Sequence, residues 1–513
     1  MGFVLFCSAM PMLANAQIEP EKVAASAVIA RPSQMMTKHA RYVAEEWSAL
    51  SGWAADASDE ALTAFLRGCR SLGQKASWTL VCAEGQRHAG RSRREAREFF
   101  ETHFDVYQVR SATENSDTGL LTGYFEPLIR GSRKKQPGLD VPVYAPPRDL
   151  LLLDRKQLAG TRIGDTVSAI VNGGALTLIR ADALGQSAAD PPRTFRLLVS
   201  PDAPVTPDRK LRVRIDGDSI VPYPSRQELQ TRRETLDAEV VAWVESEDAV
   251  YMMQLQGCGR IVFQDGTHLR IGYAEQNGHT FAPQGRDGLA SKGVGTGLQL
   301  PFAALPASQN EEVLRIIEMF RSGAASGAKQ PDRSGPVSQP RSDKDRPLAT
   351  MPSSPSAAAA RMSEVPVGLF TSAIKSDPSY VFFRRIGSSE PGPIGALGVG
   401  LTPERSIAVD PRTTPLGAPV FLSADGQANN KLNRLVIAQD TGGAIRGAVR
   451  ADYYWGPGGT AGTRALRTRD PLRLWVLLPK SMRGSMQQVG ALTSKGVPSH
   501  SECLVDDEEF CVD

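Results

Sequence analysis

The chain has 513 residues, of which 41% are hydrophobic and 22% charged, and its formal net charge is +3. This length allows two or three domains with hydrophobic cores. The near-neutral balance lacks the strongly basic character of nucleic-acid-binding proteins, so no nucleic-acid partner is expected.

The first residues resemble an export signal. An apolar run from Gly2 to Leu13 leads into the small-x-small pattern Ala14-Asn15-Ala16, so residues 1–16 are predicted to be a signal peptide. No basic residue precedes this run, and Phe6 stands where a lipoprotein signal has a small residue before Cys7. We therefore expect an exported protein and no lipid anchor at Cys7.

The cysteines fit an oxidising compartment such as the periplasm. Cys69 and Cys82 lie between two helix-like segments, and Cys503 and Cys511 bracket an acidic tail. Each pair is a candidate disulfide, which leaves Cys258 unpaired.

Residues from about 39 to 106 are predicted to be helical, because segments 59–67 and 92–104 carry apolar residues at helical spacing. From Gly119 the chain changes to short runs cut by glycine and proline, the pattern of an all-β region. The predicted strands include residues 120–125, 249–254, 268–273 and 472–478.

A change of composition marks a linker. Residues 311–321 form a predicted amphipathic helix, after which residues 322–366 are rich in Ser, Pro, Ala and Gly and contain no aromatic residue. Such a segment cannot bury a core, so we expect a disordered linker or a surface insertion. Structure is predicted to resume at 379–384, and residues 481–513 are expected to be a loose tail.

Three aspartates are candidates for proton transfer. Asp440 and Asp452 lie in short apolar runs that break at glycine, and Asp410 closes the run 406–410. The end of a strand can hold a side chain in place and leave it reachable. However, Asp440 before Thr-Gly-Gly and Asp410 before Pro411 also fit ordinary turns, so each alone favours a structural role.

The surroundings of Asp452 point to sugar chemistry. Strand alternation places Asp452 and Tyr454 on one face of the run and Tyr453 and Trp455 on the other. Aromatic neighbours reduce solvation of a carboxylic acid, which raises its pKa, and they offer flat faces to pyranose rings. An exposed aspartate beside core aromatics is the alternative that the residues leave open.

Other chemistries have little support. The six histidines show no pair at metal-ligand spacing, so no metal or cofactor is expected. Cys258 with His279 would make a Cys-His nucleophile, but a small residue packed among Gly257 and Gly259 is the favoured interpretation.

Several motifs together resemble the membrane-bound lytic murein transglycosylase A (MltA) family over roughly residues 105–480 apart from the linker. They are Gly-Tyr-Phe-Glu-Pro at 123–127, Pro-Tyr-Pro-Ser-Arg at 222–226, Gln-Leu-Gln-Gly-Cys-Gly-Arg at 254–260, Gly272-Tyr273 with Asn277-Gly-His279, and the three-aspartate region. The family usually has Ser where this chain has Cys258, which argues against a thiol nucleophile.

The resemblance implies a mainly β fold with N-terminal helices. A double-psi β-barrel would form from about 119–127 and 380–478, with a second β-domain inserted into it. The implied segments are the N-terminal helices with the first part of the barrel at 39–127, the insert at 128–375, the three-aspartate ("3D") domain at 376–480, and the tail at 481–513.

The resemblance also implies residue roles. Asp452 matches the catalytic acid, and Asp440 and Asp410 match the two supporting acids. Substrate-binding roles are implied for Thr122, Tyr124, Phe125, Gln256 and Tyr454.

The implied activity is that of a peptidoglycan lytic exotransglycosylase. It cleaves the β-1,4 bond between N-acetylmuramic acid and N-acetylglucosamine and leaves 1,6-anhydromuramoyl ends, with Asp452 as the single acid and base. The partner would be peptidoglycan in the periplasm, and association with the outer membrane or other cell-wall enzymes is a further expectation. A hydrolase that uses Asp440 with Asp452, or a non-catalytic peptidoglycan-binding module, are the alternatives.

Overall fold

The computed structural model describes residues 29–73, 75–179, 193–203, 210–233, 235–282, 370–387, 390, 392–425, 431–442 and 445–486. Every element named below lies in the unit that begins at Arg31. The predicted signal peptide, the predicted helix 311–321, the linker 322–366, Cys503 and Cys511 lie outside the described residues.

The described part of the chain is mainly β. Its strands are β1 Gln34–Met36, β2 Ala40–Glu45, β3 Phe104–Ser111, β4 Gly119–Glu126, β5 Leu128–Ser132, β6 Val141–Tyr144, β7 Leu151–Asp154, β8 Thr166–Asn172, β9 Ala175–Ile179, β10 Arg193–Leu197, β11 Lys210–Asp216, β12 Ser219–Pro222, β13 Val240–Val244, β14 Cys258–Val262, β15 His268–Gln276, β16 Val381–Ile386, β17 Ser406–Val409, β18 Pro419–Asp425, β19 Lys431–Thr441, β20 Arg450–Pro457 and β21 Arg469–Pro479. Its α-helices are α1 Ser58–Leu72, α2 Ala76–Arg87, α3 Arg93–His103, α4 Arg226–Thr231, α5 Glu247–Gln256, α6 Thr371–Ser376 and α7 Gly459–Arg467.

The predicted N-terminal helices are confirmed. Helix α1 buries a stripe of apolar side chains that includes Phe65. Ser92 precedes α3 and forms a capping box, in which Ser92 and Glu95 satisfy each other's backbone N–H groups. A disulfide between Cys69 and Cys82 joins α1 to α2, with the two Cα atoms 5.6 Å apart. This predicted pair is therefore confirmed.

The helical prediction was wrong before residue 58. Strand β2 alternates buried Ala40 and Tyr42 with less buried neighbours and pairs antiparallel with β3. Two 3₁₀ turns, Trp47–Ala49 and Trp53–Ala55, then lead to α1. A strand of this length gives too short a period-two pattern to be recognised beside strong helical segments.

A six-stranded barrel holds the three aspartates. Strands β4, β20, β17, β19, β18 and β21 follow one another around it, and β21 pairs with β4 to close the ring. The β17–β19 and β20–β4 pairs are parallel and the others antiparallel. Helices α1 to α3 and the β1–β3 extension pack on this barrel in one hydrophobic cluster.

Strands β5 to β16, which lie between β4 and β17 in the chain, form the inserted β-domain. One sheet has the order β16-β15-β14-β5-β13-β6, and a second, smaller barrel closes in the order β10-β12-β11-β7-β9-β8. The predicted fold class, a barrel with a second β-domain inserted and helices at the N-terminus, is confirmed.

One boundary and one element differ from the prediction. Strand β16 pairs with β15, so it belongs to the inserted sheet, and the C-terminal barrel strands begin at Ser406 instead of near Tyr380. Residues 249–254 lie in helix α5, which Ser246 caps and which ends before the left-handed Gly257. This helix is buried on nearly all sides, so its unbroken apolar run resembled a buried strand.

Candidate active site

Asp452 lies within the barrel wall. It is flanked by Ala408 of β17 on one side and by Thr122 of β4 on the other, so it is inside a ladder and not at the strand end that the sequence suggested. Its residue surface is only 5% exposed. A side chain in the middle of a paired strand has little freedom to move, which suits a group that must transfer a proton in a fixed direction.

One oxygen of Asp452 is anchored and the other is not. The Thr122 hydroxyl donates to Asp452 Oδ1 over 2.6 Å, and Oδ2 has no hydrogen-bond partner among the described residues. Burial raises the pKa of Asp452 to about 6, although the Thr122 hydrogen bond and the charge of Arg450 oppose this shift. Asp452 therefore carries a proton at a higher pH than an ordinary aspartate, on a carboxyl group with one oxygen still available.

Asp440, near the end of β19, has both oxygens occupied. Its Oδ1 accepts from the amides of Ala396, at 3.0 Å, and Thr441, at 2.9 Å, while Oδ2 accepts from the Tyr124 hydroxyl at 3.1 Å. Burial raises its pKa to about 6, the hydrogen bonds lower it, and the nearby Asp452 charge raises it. The carboxyl group thus holds three donors in place beside Asp452.

Asp410 follows β17 and is fully buried. Arg412 donates to both of its oxygens, at 3.0 and 2.7 Å, and the Gly447 amide donates to Oδ2 at 2.9 Å. Burial alone would raise the pKa of Asp410, but the hydrogen bonds from Arg412 and Gly447 outweigh it and hold the pKa below its usual value. Asp410 is therefore ionised, and its hydrogen bonds connect the end of β17 to the turn before β20.

The aromatic side chains near Asp440 and Asp452 pack against one another and against apolar neighbours. Tyr124 and Tyr454 pack with ring centroids 5.3 Å apart, in a cluster with Leu401, Ala408 and Ile445. Tyr454 is 0% exposed and Phe125 2% exposed, so both rings are enclosed by protein. Both rings therefore pack internally, and the substrate-binding role that the resemblance implies for them stays a prediction.

The remaining two residues of the expected substrate-binding set also make internal contacts. Thr122 bonds to Asp452, and the half-buried Gln256 accepts from the Phe125 backbone amide at 3.1 Å. Gln256 ends α5 of the inserted domain, so this contact ties that domain to β4 beside the acids.

Sequence reasoning missed two charged groups. Arg450 Nη1 donates to Thr122 Oγ1 at 3.0 Å, beside Asp452. Glu126, at the end of β4, is fully buried and accepts from Arg260 at 2.7 Å and from Arg270 at 2.8 Å, both in the inserted sheet. The period-two spacing of Arg450 and Asp452 could have shown that they share a face, whereas the partners of Glu126 carry no local signal.

Cys258 is not placed as a nucleophile. The thiol is buried, and its nearest recorded polar contact is the Phe125 carbonyl, 3.9 Å from Sγ. Burial raises the pKa of the thiol well above its ordinary value, and the charges of Glu126 and Asp440 add to this. The His279 ring contacts the Tyr223 carbonyl at 2.7 Å. No group of three or more His, Cys, Asp and Glu side chains in the described residues is arranged to hold a metal ion.

Two family models match the chain. The 3D domain matches residues 405–478, which hold the three aspartates and barrel strands β17 to β21. The MltA specific insert domain matches residues 120–175 and 188–305. The curated membrane-bound lytic murein transglycosylase A of Vibrio cholerae serotype O1 is 35% identical over 111 residues. This match spans 20% of the chain and 29% of that relative's length.

Solved structures match over more of the chain. The crystal structure of MltA from Neisseria gonorrhoeae has a TM-score of 0.61 at 25% identity and covers 88% of this chain and 96% of that one. The membrane-bound lytic murein transglycosylase from Agrobacterium tumefaciens has a TM-score of 0.55 at 21% identity, covering 87% and 99%; at this identity the likeness shows the fold alone. In the described part of the chain, no helix is long and apolar enough to cross a membrane.

Proposed function

Since the chain belongs to the membrane-bound lytic murein transglycosylase A family, with its specific insert and its 3D domain, we propose that it is a peptidoglycan lytic transglycosylase with Asp452 as the single acid and base. The observation that carries this proposal is the contrast between the three aspartates. Only Asp452 combines a raised pKa with a carboxyl oxygen that has no partner among the described residues. Asp440 and Asp410 have both oxygens hydrogen-bonded.

One group suffices for the proposed reaction. Protonated Asp452 donates its proton to the glycosidic oxygen, and the bond from C1 of N-acetylmuramic acid to that oxygen breaks. The resulting carboxylate then takes the proton of the muramoyl C6 hydroxyl, whose oxygen bonds to C1. The products are a free 4-hydroxyl on N-acetylglucosamine and a 1,6-anhydromuramoyl end, no water is consumed, and Asp452 is again protonated.

One feature of the structure favours the alternative function, a hydrolase that uses two carboxyl groups. The pKa values of Asp440 and Asp452 are both raised to about 6, and the Asp452 charge contributes to the shift at Asp440. Coupled acids of this kind occur in glycosidases that add water. The occupied oxygens of Asp440 argue against a second catalytic role, and the products of the two reactions differ.

The experiment is digestion of purified peptidoglycan followed by mass spectrometry of the fragments. We expect fragments lighter by one water than the hydrolytic products, none from Asp452→Asn, and unchanged release from Asp425→Asn, an exposed barrel aspartate that serves as the matched control. Reducing ends would show a hydrolase. Binding of glycan without release would show a non-catalytic module.

We also propose that the protein works in an oxidising compartment, the periplasm. The Cys69–Cys82 disulfide supports this, because such bonds persist mainly outside the reducing cytosol. To test this, free thiols are blocked in a periplasmic extract, and the protein is then compared by reducing and non-reducing electrophoresis. A reduced pair in freshly extracted protein would contradict the proposal.

A further inference from the structure

A row of polar side chains crosses three neighbouring strands at the acid. Asp452 of β20 is paired with Thr122 of β4, and Thr122 is paired with Arg469 of β21. Residues directly opposite one another share a face of the sheet, so the row runs from buried Asp452 to exposed Arg469. Arg450, two residues before Asp452, shares that face, as its hydrogen bond to Thr122 confirms.

Arg450 differs from the fully buried arginines in the groups that accept its hydrogen bonds. The arginines that are buried among the described residues all form ion pairs, and they are Arg212, Arg226, Arg260, Arg270 and Arg405. Half-buried Arg450 forms none with the described residues. Its Nη1 donates only to neutral acceptors, the Leu120 and Ala451 carbonyls and the Thr122 hydroxyl, at 2.9 to 3.1 Å.

Two nitrogens of the Arg450 guanidinium are available to donate hydrogen bonds to a ligand. Its Nε and Nη2 have no partner among the described residues. Burial lowers the pKa of Arg450, the Asp452 charge opposes this, and the charge of Arg469 adds to it. Two cations therefore lie close to a carboxyl group that is itself protonated below about pH 6. A half-buried positive charge that forms no ion pair with the described residues favours an anionic ligand.

The proposed substrate supplies such an anion on alternate sugars. N-acetylglucosamine is neutral, whereas N-acetylmuramic acid carries a lactyl group that ends in a carboxylate or continues into a peptide with its own carboxylates. Arginine presents paired N–H donors in a fixed plane that matches a carboxylate. A carboxylate held at Arg450 would fix which sugar lies on each side of Asp452.

We propose that Arg450, assisted by Arg469, binds a carboxylate of the lactyl or lactyl-peptide substituent of the muramoyl unit and so sets the register of the glycan strand at Asp452. This inference rests on the proposed function. Arg450 is then a positioning and specificity residue, and Asp452 remains the acid. The chemistry recognised is a carboxylate next to a pyranose ring, from either the lactyl group itself or the peptide stem.

The test measures binding in an Asp452→Asn background, where no glycan is cut. The three probes are peptide-bearing glycan strands, peptide-free strands that keep the lactyl carboxylate, and neutral N-acetylglucosamine hexamers, titrated by calorimetry. We expect Arg450→Gln to weaken binding of at least one acidic probe about tenfold, the typical effect of one charge-assisted hydrogen bond, and to leave the neutral hexamer within about twofold. The acidic probe that loses affinity identifies the source of the carboxylate.

Further variants separate recognition from structure. Arg450→Lys keeps the charge without the planar fork, so it should restore part of the lost affinity. Arg469→Gln, at an exposed position, should weaken acidic probes by a smaller factor. Arg473→Gln is the matched control, because Arg473 is an exposed arginine of the same strand that lies 3.8 Å from Asp117, and it should change nothing.

Equal weakening of acidic and neutral probes by Arg450→Gln, or no weakening at all, would overturn the inference. If Arg450→Gln does not fold, Arg469→Gln decides together with salt: the preference for acidic over neutral probes must fall from low to high ionic strength. The two proposals also fail separately. A chain that releases no fragments but still prefers acidic strands through Arg450 loses the transglycosylase function and keeps this site.

Discussion

The Thr122 hydroxyl donates to Asp452 Oδ1 over 2.6 Å although the two residues are 330 positions apart in the chain. The contact is made because β4 and β20 pair in parallel with these two residues opposite each other. The first barrel strand comes before the inserted domain and the other five after it. Asp452 Oδ1 is therefore held in place only because β4 joins the barrel beside β20. The same contact sets the orientation of Asp452 Oδ2.

Thr122→Val should impair catalysis and shift its pH dependence. The change keeps the shape of the side chain and removes a hydrogen bond that lowers the pKa of Asp452, so that pKa should rise. Because Asp452 must be protonated to act as the acid, cleavage should fall above about pH 6 in the wild type and at a higher pH in the variant. We expect kcat to drop roughly tenfold from lost orientation.

The control for this prediction is Thr122→Ser, which keeps the hydroxyl and should retain both the rate and the profile. The measurement is the initial rate of fragment release from peptidoglycan between pH 4 and 9. An unchanged profile in Thr122→Val would mean that the hydroxyl does not influence the acid.

Asp452→Asn should make the protein more stable at neutral pH. The pKa of Asp452 is raised in the folded state, so between about pH 4 and 6 the folded state binds more protons than the unfolded state, and the free energy of unfolding falls as the pH rises. The amide does not ionise and escapes this loss. From 1.36 kcal/mol per pKa unit, the variant should gain up to about 3 kcal/mol at pH 7.5 and little at pH 4.

Urea unfolding of both proteins at pH 4 and pH 7.5 checks this prediction. Asp425→Asn, at an exposed position, should show no comparable difference. A stability difference between wild type and Asp452→Asn that does not grow with pH would show that the acid is not protonated more easily in the folded state.

The sequence predicted the acids better than their surroundings. Asp410, Asp440 and Asp452 are candidates from a local pattern and a family resemblance. Short alternating runs indicate an all-β region, whereas the barrel was expected only from the resemblance. The Ala396 amide that donates to Asp440 and the two arginines that pair with Glu126 come from distant parts of the chain. The sequence near Asp440 or Glu126 therefore does not predict these partners. Alternation also placed Tyr454 on the face of Asp452, but periodicity does not reveal how deeply a face is covered.

Asp440→Asn should impair cleavage less than Asp452→Asn, by roughly tenfold instead of the 10²–10⁴-fold or more typical of an acid–base group. Asparagine keeps one oxygen that can accept from the Ala396 and Thr441 amides. Asp440→Ala removes both oxygens and leaves these two donors unpaired, so it should also cost about 2 kcal/mol or more of unfolding free energy.

Fragment release gives the activity of the two Asp440 variants relative to Asp452→Asn, and urea unfolding gives their stability. Complete loss of activity in Asp440→Asn with unchanged stability would contradict a supporting role. That result would favour the hydrolase in which both carboxyl groups take part.

Cys258→Ser should retain activity, and alkylating reagents should not inactivate the folded protein through this residue. The thiol is buried, its pKa is raised by burial, and the ring of His279 is held by a backbone carbonyl, so there is neither a thiolate nor a described base to form one. Serine is slightly smaller and can donate to the Phe125 carbonyl that lies near Sγ. Rates of fragment release for wild type, Cys258→Ser and iodoacetamide-treated wild type decide the matter. Retained activity in all three fits a packing role for the thiol, whereas a loss in Cys258→Ser as severe as that in Asp452→Asn, in a variant with unchanged stability, would mean that the chemistry runs through sulfur.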